Sequence, residues 1–131
     1  EVILDDMASM TNANMNPYEK SLITFQYIAD NVRIYRVFVS LPPQSALTNA
    51  VYRVISASIL QRYKPRNESK IPMDVAVNHI VTSMIELIRW WVTNDLSLSV
   101  EQMALIQSEL IIKATEIVAL EPIRDEMGMM D

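Results

Sequence analysis

The sequence predicts an all-α domain, an antiparallel bundle of about five to six helices, and three observations point to it. The 131 residues contain one glycine, Gly128, near the C-terminus. Sheets and hairpins draw on glycine at their turns, so its scarcity favours helices joined by polar or proline-marked corners. Apolar residues make up 50% of the chain, enough for one real core in a chain of single-domain length, and they recur at helical spacing. Prolines and capping residues cut the chain into helix-length stretches.

Residues 1–13, beginning Glu1-Val2-Ile3-Leu4, read as the end of a helix that starts upstream. The domain proper is expected over residues 14–120. Asn16-Pro17-Tyr18-Glu19 supplies an N-cap, a first-turn proline and a glutamate that closes a capping box. A helix follows to about Asn31, with Tyr18, Leu22, Phe25 and Ala29 on one face. A short second helix, about Arg33 to Ser40, turns Ile34, Val37, Phe38 and Leu41 inward and stops at Pro42-Pro43. The third runs from about Gln44 to Tyr63, with Leu47, Val51, Val54 and Ser58 on its main stripe. After a polar loop between Pro65 and Pro72, the fourth reaches about Asn94. Its broad apolar arc is Met73, Ala76, Val77, Ile80, Val81, Met84, Leu87, Ile88 and Trp91. Ser99-Val100-Glu101-Gln102 is a second capping box and opens a last helix to about Leu120. Residues 121–131 read as a frayed tail.

Composition excludes several function classes. There is no cysteine, hence no disulfide scaffold, thiolate zinc site or cysteine nucleophile. One glycine cannot build a phosphate-cradling loop, and no serine precedes an elbow glycine. No apolar run is long enough to span a bilayer, and no signal pattern opens the chain, so a cytoplasmic protein is expected. The net charge of −5 is uneven. Residues 53–70 carry Arg53, Arg62, Lys64, Arg66 and Lys70 against Glu68, whereas residues 71–131 are strongly acidic. An acidic second half repels a phosphate backbone, and the basic stretch reads as a solvated corner. Neither a metal nor a cofactor is expected.

Two helices carry more than a core face. On the last helix, at about 100° per residue, Val100, Met103, Ala104, Gln107, Leu110, Ile111, Ala114 and Val118 form one face. A second stripe of Leu105, Ser108, Ile112, Thr115 and Ala119 lies away from it. A helix apolar on two sides needs two partners; a central buried helix is one solution and a subunit interface the other. The second stripe is therefore the candidate homodimer interface. On the fourth helix His79, Ser83, Glu86 and Trp90 follow one another at helical spacing, and the third repeats the theme with Tyr52, Ser56, Ile59 and Tyr63. Such faces suit an apolar pocket with a few polar tips, or ordinary packing with hydroxyls reaching water. Phe25, Tyr52, Ser56, His79 and Ser83 are the candidate ligand contacts for a small, largely apolar effector. His79 is the sole histidine, so a histidine-based metal site has no second ligand of that kind.

The string Ile85-Glu86-Leu87-Ile88-Arg89-Trp90-Trp91-Val92, then Thr93-Asn94-Asp95 and Ser99-Val100-Glu101-Gln102-Met103, resembles the C-terminal domain of TetR-type transcription regulators. The match is to the subgroup with a Firmicutes-type or glycerone kinase-regulator-like sensor. Tyr27-Ile28-Ala29-Asp30-Asn31 through Tyr35-Arg36-Val37-Phe38 is similar to the start of that family's sixth helix. The subgroup's glycine in the corner after the tryptophans is replaced here by Asp95-Leu96-Ser97. The resemblance covers about residues 1–120. It implies a non-enzymatic sensor and dimerisation domain, usually of a repressor, whose operator DNA is bound by an N-terminal head absent from this sequence. A helical docking module without a small ligand is the alternative. An enzyme resting on His79 and Glu86 is the remote third.

Overall fold

A computed structural model of the chain describes residues 15–123. The linking-helix end expected over residues 1–13 and the tail after residue 123 lie outside those residues. Five helices follow in order: α1 (Pro17–Asp30), α2 (Val32–Ser40), α3 (Ala46–Arg62), α4 (Met73–Thr93) and α5, residues 100–118. Two short strands, β1 (Tyr63–Pro65) and β2 (Leu120–Pro122), pair antiparallel with Lys64 opposite Glu121. The fold is all-α, as the glycine scarcity and helical spacing predict.

Both capping boxes form. The Asn16 Oδ1 accepts from the Glu19 N–H at 2.8 Å while the Glu19 carboxylate accepts from the Asn16 N–H at 2.9 Å. At α5, Ser99 Oγ accepts from the Gln102 N–H at 3.0 Å and Gln102 Oε1 from the Ser99 N–H at 2.8 Å. Each satisfies N–H groups that a helix start leaves unpaired.

The core has two parts. One gathers Ile59 of α3, Ala76, Val77, Ile80, Val81 and Ile85 of α4, Ile111 of α5, and Ala119 and Leu120. The other gathers Phe25 and Ile28 of α1, Trp91 and Val92 of α4, and Met103 of α5. Leu87 packs against both. The α4 arc is thus the central wall, α1 packs on α5, and α3 packs on α4.

Three faces differ from the periodicity. On α2, Ile34 and Val37 are exposed, and Tyr35, Phe38 and Val39 turn inward. On α3, Leu47 and Val54 are exposed, and Thr48, Tyr52, Ile55 and Ile59 face the core. On α3 apolar residues run all round, and contact with α4 sets its phase; on α2 the polar edge of Arg33, Arg36 and Ser40 opposes Tyr35, Phe38 and Val39, and Ile34 and Val37 flank that edge. Residue 121 onward does not start as loose tail: Leu120–Pro122 is paired to β1.

Helix α5 accounts for the third difference. Its middle, Gln107–Lys113, is π-helical between the α-helical Val100–Ile106 and Ala114–Val118. Bonding from i to i+5 turns the chain less per residue, so a stripe drawn at constant α-helical pitch goes out of phase here.

Candidate functional site

The π-helical turn decides which residues of α5 a partner can reach. Ser108 is 0% exposed, with its hydroxyl donating to the Leu105 carbonyl at 3.2 Å. Thr115 is buried and donates to the Ile111 carbonyl at 2.7 Å; Ala119 is buried as well. Of the five interface candidates, then, Ser108, Thr115 and Ala119 belong to this chain's own interior. Leu105 is exposed and Ile112 half-buried. The outward positions are instead Leu110 at 70% within the bulge, and Ile117 at 72% and Val118 after it, with Ala114 beside them. A constant α-helical pitch puts Leu110, Ala114 and Val118 on the core face, and no signal in the sequence announces the bulge that turns them outward.

On α4 the outward strip is Val75, Asn78, His79, Thr82, Glu86 and Trp90, and Ser83 is half-buried at its edge. His79 and Glu86 are both open to solvent. Among the described residues, no group of three metal-type side chains comes together.

The five candidate ligand contacts fall in two places. Tyr52 and Ser56 lie half-buried on α3, and the Tyr52 hydroxyl donates to Asn78 Oδ1 of α4 at 3.2 Å. Burial of the ring, with the Glu86 charge, raises its pKa above the ordinary tyrosine value. His79 and Ser83 are on the neighbouring α4. Phe25 is elsewhere: its ring is fully buried, edge-on to Trp91 with centroids 5.3 Å apart, in the other part of the core. The structure therefore brings Tyr52 to the α4 strip and leaves Phe25 apart from it. Two open grooves lie on α1 and its corner. One is lined by Leu22, Ile23, Gln26, Tyr27 and Asp30, the other by Asp30 to Ile34.

The basic corner is occupied internally. Arg66 Nε donates to the Glu116 carbonyl at 2.7 Å, Arg66 Nη2 to the Leu120 carbonyl at 3.3 Å, and the Arg66 N–H to Ala119 at 2.9 Å. Ser69 Oγ donates to the Val118 carbonyl at 2.9 Å. The carbonyls at the end of α5, which have no partner within the helix, find donors in this loop. Lys64 pairs with Glu121 at 3.4 Å. Tyr63 donates its hydroxyl to Glu116 at 2.7 Å, and burial together with that bond holds its pKa far above the tyrosine range.

The corner between α4 and α5 ends in a Schellman arrangement: Leu96 N–H donates to the Trp91 carbonyl at 2.9 Å and Asp95 N–H to Val92 at 3.2 Å. Asp95 and Leu96 sit at φ 55° and 54°, and the Trp91 Nε1 donates to the Leu98 carbonyl at 2.8 Å.

Fold and faces together define an all-α domain that presents outward apolar residues on two of its helices. The family model of the TetR-type transcriptional regulator C-terminal region matches residues 15–113, and the chain belongs to that family. No curated protein and no solved structure matches the chain. No helix among the described residues is long and apolar enough to cross a membrane.

Proposed function

We propose that the chain is the effector-sensing and dimerisation part of a cytoplasmic transcriptional repressor, in the subgroup with a Firmicutes-type or glycerone kinase-regulator-like sensor. It works as a homodimer, and a small, largely apolar ligand releases the repressor from operator DNA. A helix-turn-helix head, not this domain, holds the DNA. The single observation that carries the reading is the unpartnered apolar stripe of α5, Leu105, Leu110, Ile117 and Val118, together with Val75 and Trp90 on α4. Two antiparallel helices with outward apolar residues suit a twofold four-helix contact, because an isologous patch closes on itself. Ile112, half-buried, borders that contact. No catalytic role is assigned: His79 and Glu86 stand exposed on one strip.

The open character of the grooves on α1 favours a second reading, a helical docking module with no small ligand. For the first reading, sedimentation of Leu110→Glu and Ile117→Glu is the test. An unpaired charge in the interface costs at least about 3 kcal/mol, which weakens the dimer by roughly a hundredfold. Both variants should run as monomers, and Leu47→Glu, exposed on α3, as a dimer. Dimers of unchanged stability in both α5 variants would place the interface elsewhere.

A further inference from the structure

Two buried side-chain polar atoms lack a partner among the described residues, Gln107 Oε1 and the Tyr35 hydroxyl. Gln107 is 2% exposed, opens the π-helical turn, and spends its Nε2 on the Ser21 hydroxyl of α1 at 3.0 Å. Its carbonyl oxygen is left as a bare acceptor inside the protein. Native interiors rarely leave an acceptor so, and π-helical turns recur at functional sites. Both Tyr35 and Ile106, the residue before Gln107, pack against the core part built on Phe25, Ile28, Trp91, Val92 and Met103. That part is aromatic and adaptable: the Phe25 ring meets Trp91 edge-on, and Met103, an unbranched thioether, repacks readily. Its fully buried members, Phe25, Ile28, Trp91, Val92 and Met103, are all apolar.

Resting on the sensor reading above, we propose that the effector enters at Phe25, between α1 and the π-helical turn, displaces the Phe25 ring and donates a hydrogen bond to Gln107 Oε1. The ligand class follows from the lining. It is a neutral, mainly aromatic molecule with one N–H or O–H donor, and the buried Tyr35 hydroxyl offers a second polar contact. The Tyr52–Ser56–His79–Ser83 strip is then not the effector site.

Fluorescence titration of the 131-residue chain with N-phenyl-1-naphthylamine, against 1-phenylnaphthalene, tests this. The amine carries the donor; the hydrocarbon keeps both aromatic groups and lacks the bridging N–H. Saturable binding is expected, with the amine preferred about tenfold, the worth of one neutral hydrogen bond. Gln107→Leu should erase the preference while keeping a cooperative melt, and Gln107→Met serves if the leucine variant does not fold. Phe25→Ala should tighten both probes. No saturable signal in either the parent chain or Phe25→Ala overturns the site. So does a tenfold preference that survives at position 107. Sedimentation of the same samples separates this from the assembly reading: a dimer that binds neither probe removes the site and leaves the dimer standing.

Discussion

At Asp95 the backbone turns left-handed where a helix C-terminus favours a residue without a Cβ. Asp tolerates φ 55° better than most residues, but not without cost, and its ion pair with Arg36, 3.7 Å and exposed, returns little. Asp95→Gly should therefore raise unfolding stability by about 0.5–1 kcal/mol, read as a higher urea midpoint at unchanged slope. An unchanged or lower midpoint would show that the corner is set by Leu96 and Trp91 packing alone. At this scale the sequence was most readable where a side chain bonds its own backbone. Asn16 with Glu19, and Ser99 with Gln102, announce helix starts by residue type and spacing, and both form. The candidate ligand contacts were less readable. Phe25 shares a helical face with its neighbours, and nothing in the sequence says that Trp91, 66 positions away, would close over it.

Among the elements, α5 shows what periodicity can and cannot carry. All five helices lie within a few residues of their expected bounds, because prolines and caps mark ends locally. Their orientation is a tertiary matter. On α3 the pattern is ambiguous, on α2 the expected face takes in Ile34 and Val37 beside the polar edge of Arg33 and Arg36, and in α5 the bonding changes from i+4 to i+5. A π-helical bulge behaves as one residue too many in an α-helix. Deleting Glu109, which is exposed inside the bulge, should let α5 close as regular α-helix with Met103 and Thr115 still facing inward. We expect a cooperative melt within about 2 kcal/mol of the parent, whereas deleting Thr82 from the regular α4 should abolish folding. Equal damage from the two deletions would mean that the wide turn is imposed by packing and not by an extra residue.

For the whole molecule, alkali reports on packing. Burial, with a smaller contribution from Tyr27, pushes the Tyr35 pKa up to about 12, and Tyr63 is raised further by burial and its bond to Glu116. Above the ordinary tyrosine pKa of about 10 the unfolded chain loses these protons first. The folded state then binds more protons than the unfolded one, so stability falls as pH rises from about 10 toward 12. Chemical denaturation at stepped pH should show that decline, and Tyr35→Phe should flatten part of it; a flat profile in the parent would show that the two phenols are less enclosed than their surroundings indicate.

The donors that cap the end of α5 come from the loop at residues 66–69, and Ser21 of α1 bonds to Gln107 of α5. In the order of synthesis this has a plain result. When α1 and the loop at residues 66–69 leave the ribosome, the helix they pack on or cap has not yet been made. The partners of Ser21 lie 86 residues downstream and those of Tyr63 lie 53. Long-range closure of this kind is slow, and until it happens the Phe25 cluster and the Arg66 loop stay open to chaperones and proteases. The nascent domain is thus committed to its native arrangement only once its last helix and the short strand after it have emerged.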